Sequence, residues 1–463
     1  MKKVFIFGID GAPPQYVLDL WLDDLPNIKK LLENSIYSDL ETTIPPSTIV
    51  AWTSMITGKD PSHFNVYSYT YKDENNKTKL SNSTNIKAKR IFEYLSEQNK
   101  KSILISVPLT YPVTPLNGIM LSGFLTPSFN EKSIYPHQLK DEILSKFNQE
   151  YSFDVNVGLA GYKELDSDNM IEKVYKMTDL QLKIVKDFIK NKEWDFFMTV
   201  FLGTDRMQHT MWRFFDKNHR KYPGPTKYEN AIKDYYKYLD NQIGIIKEML
   251  DEDCYFIIAS DHGFDRMDGR FNLNDWLIKE GYLTLLEKPS QPQKLNFSNV
   301  DWSKTKAYAI GAYFGRIFFN KISKDPKNGI VSDNQIKELQ NEIIEKLKPL
   351  TNDKNEPMEN YFFKPQDIYN GPYVKESPDL YIYFDNLRWG VNNDVSNIGF
   401  YSQRTTSGSD DAGHSPKGTF ILNHKNIKNK KLDTINIIDI LPTIFNAMQI
   451  QVPPQLKGKN LLK

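Results

Sequence analysis

The chain has 463 residues, of which 40% are hydrophobic and 13% aromatic, enough to bury a large core and, by length, to form about two or three domains or one large domain with insertions. With 59 Lys plus Arg against 58 Asp plus Glu the net charge is +1, which excludes a global field that would draw a nucleic-acid polymer or an anionic membrane, so an anionic substrate must be captured locally. The single cysteine, Cys254, excludes an internal disulfide and, inside an apolar stretch, reads as a small buried side chain.

Lys2 and Lys3 precede a short apolar run that Asp10 interrupts, with no small-residue cleavage site following, so the segment does not read as a secretory leader. No stretch approaches the roughly 18 apolar residues that span a bilayer. The expectation is a soluble, cytoplasmic protein.

Val4 to Ile9 is a β-branched and aromatic run, the pattern of a strand covered on both faces. Similar runs recur at 102–108, 195–203, 254–260 and 379–384. Helical patterning falls at 15–33, 48–58, 87–98, 166–192, 226–250, 333–348 and 436–447. This alternation predicts an α/β fold with a mostly parallel sheet and helices on both faces. Two stretches fit it poorly, within 62–165 and 284–375, and read as insertions at one end of a sheet in a single catalytic domain over 1–463. No basic tract is interleaved with stacking aromatics, so single-stranded nucleic acid is not an expected partner.

Ligands of open parallel sheets bind at the carboxyl ends of the strands, and there the polar residues concentrate. Val4–Ile9 ends in Asp10, the 195–203 run leads into "GTDRMQH" with Asp205 and His209, the 254–260 run ends in Asp261 and His262, and "DDAGHSPKG" places His414 before a later apolar run. Asp and neutral His suit zinc, or manganese where more oxygens are supplied. Asp205 and His209, four apart, share a face if a helical turn follows Gly203. Asp261 and His262 are adjacent, and either point at two ions or reach one ion from a turn. Each residue also has a structural reading: an Asp after a strand caps the next helix, Asp205 pairs with Arg206 or Arg213, and a lone His packs against aromatics. Chance explains poorly that three of the seven histidines join three aspartates at separate strand ends. His63, His137, His219 and His424 sit beside Pro, Lys, Arg or Asn and read as surface residues, His63 being the one to watch.

A nucleophile is found in "TTIPPSTIVAWTSMITGKDP", residues 42–61, where two prolines force an extended entry and Ser47 or Thr48 opens a helix whose buried stripe is Ile49, Trp52, Met55 and Ile56. A hydroxyl at a helix N-terminus lies beside free N–H groups at the positive end of the dipole, where a phosphoryl group is held. A Thr hydroxyl there, held by a divalent ion, can attack as an alkoxide without a histidine base.

These motifs, with "FGIDGAPP", "SDHGF" before "NLNDWLIKEGYL" and "NIIDILPTIFNAM", resemble in order the alkaline phosphatase superfamily, in its type I phosphodiesterase/nucleotide pyrophosphatase branch. The resemblance implies an alkaline-phosphatase-like mostly parallel central sheet with helices on both faces and inserted cap segments. It further implies Thr48 as nucleophile, one ion held by Asp10, Thr48, Asp261 and His262, another by Asp205, His209 and His414, both usually zinc, and hydrolysis of a phosphate ester through a phosphothreonine. The expected substrate is a small or lipid-linked phosphate diester. A phosphomutase, phosphonate hydrolase or phosphomonoesterase of the superfamily is the alternative, and a non-catalytic metal-binding scaffold a third reading. Nucleotide-cleaving members carry an Asn downstream of the nucleophile where this chain has "HFNVYSY"; Asn65 or Tyr67 is the expected donor to the phosphoryl oxygen in its place. Trp52, Tyr67 and Phe124 are the expected apolar walls of the substrate pocket.

Overall fold

The computed structural model describes residues 2–72, 78–155, 165–395, 399–403 and 410–462. They form two compact units, the first of Met1–Lys217, Tyr222–Phe264 and His414–Lys463, the second of Asn218–Lys221 and Asp265–Gly413.

Apolar runs build the sheet of the first unit. Its main strands are β1 (Val4–Ile9), β2 (Ser35–Glu41), β3 (Ser102–Ser106), β4 (Gly118–Gly123), β5 (Ile134–Tyr135), β6 (Phe196–Phe201), β7 (Tyr255–Ala259) and β8 (Lys417–Asn423). They lie in the order β2–β8–β7–β1–β6–β3–β4–β5, with two short strands pairing β2. β1 runs parallel to both β6 and β7, and β3 parallel to β6 and β4, while β8 is antiparallel to β7 and β2. All six residues of β1 are buried, as a central parallel strand requires.

Alternation along β1 divides the core. Val4 and Ile6 face the cluster containing Trp52, Met55, Phe420, Leu441 and Phe445. Phe5 stacks on Phe197 and Phe256, and Phe7 on Phe201. Each such ring removed from water is worth about 2 kcal/mol. The helices that matter for the site are α1 (Thr48–Thr57), α2 (Ser167–Asn191), α3 (Gly203–Phe215), α4 (Ala231–Met249) and α5 (Ile440–Ala447).

Several expectations change. The helix expected over 15–33 is a π-turn at Tyr16–Leu20, a 3-10 turn at Leu22–Asp24 and an α-helix at Pro26–Leu32. Pro26 lacks an N–H and starts a new helix instead of continuing one. The apolar run 379–384 supplies Leu380–Tyr383, but this strand belongs to the second unit, in a four-stranded antiparallel sheet with Ala307–Gly311, Gly315–Phe319 and Tyr361–Phe363. A short apolar run shows that a strand is buried, not which sheet it joins.

The second unit has its own core around Phe271, Trp276, Ile317, Ile343 and Trp389, and a buried Arg270–Asp410 pair at 2.9 Å. It extends on both sides of the 284–375 stretch. The 62–165 stretch falls in the first unit, and its residues 73–77 and 156–164 lie outside the described residues. Among the described residues no helix is long and apolar enough to cross a membrane.

Candidate active site

Five segments of the first unit deliver polar side chains to the carboxyl ends of β1, β6 and β7. Asp10 follows β1 directly, and the turn after it is fixed by its backbone. Gly11 has φ +70°, and a Cβ there would come within 2.3 Å of the Phe264 ring, so only glycine fits. Its carbonyl accepts from Gln208 Nε2 at 2.5 Å and from the Tyr236 hydroxyl at 3.1 Å, and its N–H donates to Asp261 Oδ1 at 3.1 Å. The β1 turn is thus tied to α3, α4 and the end of β7.

α1 opens at Thr48 with Ser47 in extended conformation before it, and the Ser47 hydroxyl makes no capping hydrogen bond. The helix N-terminus therefore keeps amide donors available to an anion. Thr48 is buried, and its Oγ1 lies 3.3 Å from His262 Nε2.

α3 starts at Gly203, so Asp205 and His209 lie one turn apart, with His209 Nε2 at 3.3 Å from Asp205 Oδ2. His414 Nε2 is 3.5 Å from the same oxygen. On the other side His262 Nε2 lies 3.1 Å from Asp261 Oδ2 and 3.6 Å from Asp10 Oδ1. His262 and His414 rings stack at 3.6 Å, and Phe264 packs against the rings of His209, His262 and His414.

Tautomers follow from the backbone. The Nδ1–H of His414 donates to the Pro46 carbonyl at 2.8 Å and that of His262 to the Gly263 carbonyl at 3.1 Å. Both rings consequently turn an Nε2 lone pair inward, as metal-binding imidazoles do.

The ligand atoms of Asp205, His209 and His414 lie within 4.8 Å of one another, and so do those of Asp10, Asp205 and His262. Asp205 is common to both groups. Electrostatics point the same way. Burial, and after it the charge of Asp205, pushes the Asp10 carboxyl well above the usual carboxylate range; burial and then Asp10 do the same to Asp261. For Asp205 burial opposes ionisation, but His209 and Arg206 outweigh it and hold the carboxyl well below that range. Burial, followed by the neighbouring His414, keeps His262 neutral. Asp10 Oδ1 and Asp261 Oδ2 are buried without a hydrogen bond, a costly state for carboxylate oxygens unless a cation faces them. Three aspartates, the inward-turned Nε2 atoms of His262 and His414, and His209 beside Asp205, with two bare carboxylate oxygens, therefore fit divalent cations, as zinc or manganese sites require.

The pocket walls differ from expectation. Trp52 is fully buried and presents no face to a ligand; its indole N–H donates to Asp10 Oδ2 at 3.1 Å. Asn65 closes the short helix Pro61–Phe64 in a left-handed conformation, φ +62°, and Tyr67 is buried. Two residues further on, the Tyr69 ring packs on the cluster of Ile49, Val50, Phe64, Val66 and Leu109, and burial pushes its phenol well above the ordinary range. Phe124 meets the Tyr69 ring edge-on at 5.9 Å, and the Arg206 guanidinium lies 4.9 Å from the Phe124 ring. Arg206 itself donates to Asp205 Oδ1 and grips both oxygens of Asp154 at 2.8 Å.

Not every histidine expected on the surface is there. His219 and His424 are buried, His219 Nε2 donating to the Asp411 carbonyl at 2.8 Å and His424 stacking on Tyr255 at 4.0 Å. Charged neighbours in sequence do not say where an imidazole points. His63 is half-buried against Asp60, with Nδ1 at 3.0 Å from Oδ2.

Residues 4–410 match the family model of type I phosphodiesterase / nucleotide pyrophosphatase. Among solved structures, the fold is similar to human ectonucleotide pyrophosphatase/phosphodiesterase 5, with TM-score 0.57 and 13% identity, covering 100% of this chain and 98% of the other. It is similar also to the murine protein, in one case an inactive variant in complex with AMP, with TM-score 0.56 and 12% identity over 98% of this chain and 96% of the other. No curated protein matches the sequence.

Proposed function

Because the chain belongs to the type I phosphodiesterase/nucleotide pyrophosphatase family of hydrolases, we propose that it cleaves a small or lipid-linked phosphate diester with Thr48 as the nucleophile and two divalent ions as cofactors. The observation that carries this reading is the Thr48 hydroxyl, buried at an uncapped helix N-terminus and 3.3 Å from His262, a member of one of two Asp/His groups that share Asp205.

Asp10, Asp261 and His262 with Thr48 would hold one ion, and Asp205, His209 and His414 the other; the two imidazoles of the second set favour zinc there. Bound there, the pair supplies charge to ionise the attacking oxygen and to neutralise the leaving one. The chain's own groups do the rest. The α1 N–H groups receive the phosphoryl oxygens, and the burial of Thr48 keeps water from competing with it. As the bond from Thr48 Oγ1 to phosphorus forms, the bond from phosphorus to the leaving alcohol breaks; water then cleaves the new ester and restores the hydroxyl. Trp52 and Gly11 act one layer out, fixing Asp10 and Asp261.

The AMP held by the murine neighbour favours a substrate of that size, a nucleotide or similarly small ester. A cytoplasmic location belongs to the same proposal and is tested by cell fractionation. The function is tested with bis(4-nitrophenyl) phosphate against 4-nitrophenyl phosphate in the presence of zinc or manganese. The diester should be the better substrate, and Thr48→Ala should abolish turnover; full turnover by that variant would dismiss Thr48 as nucleophile.

A further inference from the structure

Asp205, common to both Asp/His groups, has its two oxygens in different surroundings. Oδ2 faces the histidines, 3.3 Å from His209 Nε2 and 3.5 Å from His414 Nε2. Oδ1 accepts a hydrogen bond from Arg206 Nη1. Side chains adjacent in a helix do not face each other, so this contact exists only because the guanidinium turns back along α3 and is held there. What holds it lies outside the helix. Asp154 receives Nε on its Oδ1 and Nη2 on its Oδ2, both at 2.8 Å, a fork-to-fork pair that fixes the plane of the guanidinium. The centre of the Phe124 ring lies 4.9 Å from the guanidinium carbon and backs that plane.

Asp154 is itself anchored. Its carbonyl accepts from the Ser152 hydroxyl at 2.6 Å and its Oδ1 from Val155 N–H at 2.7 Å, while the preceding Phe153 packs on Tyr151 at 5.2 Å. Arg206 and Asp205 are only 5% and 1% exposed, so their contact is shielded from water.

Occupying one oxygen of a carboxylate changes what it offers a cation. With Oδ1 committed to Arg206, the group of Asp205, His209 and His414 amounts to one oxygen and two nitrogens, the short, nitrogen-rich set that four-coordinate zinc takes. Manganese prefers more ligands, chiefly oxygens, and a released Asp205 would serve it with both of its own.

We propose that Arg206 is a positioning residue that sets metal preference: it caps Asp205 Oδ1 so that this group takes zinc ahead of manganese, with Asp154 holding the guanidinium in place. This rests on the reading of the group as a metal centre. A pair that only stabilised the fold would affect the two metals equally, and so would the bare charge of the guanidinium, which repels both dications alike. The ratio of the two affinities therefore isolates the capped oxygen.

The test measures dissociation constants for zinc and manganese on metal-stripped full-length protein, by competition against a chelating dye, for the parent, Arg206→Met and Asp154→Asn. Arg206→Met keeps an apolar stem and removes every donor. Its ratio of manganese to zinc dissociation constants should fall about tenfold, the low end for loss of an outer-layer partner. Asp154→Asn keeps Arg206 and the side-chain volume but loosens the grip on the guanidinium, so the ratio should fall a few-fold in the same direction. That variant decides the matter if the methionine protein does not fold, which melting temperatures report. A ratio within twofold of the parent's in every folded variant, even with both affinities lowered, would overturn the role of Arg206. So would a shift that persists undiminished in the His209→Ala background, where this group is already broken. The underlying reading fails separately: a parent that takes up neither metal, or uptake unaltered by His209→Ala, removes the metal centre whatever Arg206 does.

Discussion

Asp205 is the residue on which both Asp/His groups converge, and single substitutions should show it. His209→Ala removes a ligand from one group only, whereas Asp205→Asn weakens both. By metal analysis of protein loaded with zinc or manganese, His209→Ala should retain close to half of the divalent metal that the parent takes up and Asp205→Asn markedly less. Trp52 acts more gently, through the hydrogen bond to Asp10. Trp52→Phe keeps most of the packing volume and removes the donor, so metal affinity should fall about tenfold, the low end for an outer-layer partner, in a competition titration against a chelating dye. The indole's hydrogen bond was not legible in the sequence, because a tryptophan in a helical stripe with Ile49, Met55 and Ile56 reads as core, and the packing does make it core. Only the position of its N–H shows the second function.

Elements deliver these residues through close backbone approach. Gly8 in β1 is one such point: a Cβ there would lie 2.7 Å from the Trp52 ring, 2.9 Å from the Thr199 carbonyl and 2.9 Å from Val200. Gly8→Ala should therefore push Trp52 off Asp10 as well as strain the β1–β6 contact. Overpacking of this kind costs about 1–3 kcal/mol, measurable by denaturant unfolding, and metal affinity should drop with it. An alanine variant as stable as the parent would show that the helix yields freely. The candidate ligands themselves were legible because each directly follows or precedes an apolar run that the sheet buries: Asp10 after β1, Asp205 at the start of α3 after β6, Asp261 and His262 after β7, His414 before β8. What did not follow was where helices break, as at Pro26, and which sheet a short run such as Leu380–Tyr383 enters, since both depend on partners distant in sequence.

At the scale of the whole molecule, all seven candidate metal and nucleophile positions belong to the first unit, although the Asp265–Gly413 segment of the second unit separates His414 from the others in sequence. The central sheet holds them without help from local sequence, so ion binding should stabilise that unit by mass action, about 2.7 kcal/mol at a free metal concentration 100 times the dissociation constant. Chelation should accelerate hydrogen exchange in the Asp10 turn and the first turn of α1 and leave the hairpin of Ala307–Gly311 and Gly315–Phe319 in the second unit unchanged; zinc should reverse the effect. Uniform acceleration across both units would argue against a localised metal centre.

The most direct test is to trap the enzyme during turnover. Acid quenching within the first turnovers of bis(4-nitrophenyl) phosphate, followed by proteolysis and mass spectrometry, should find the 4-nitrophenyl phosphoryl group on Thr48. A modified residue elsewhere, or rapid hydrolysis by Thr48→Ala with no covalent adduct, would contradict the account.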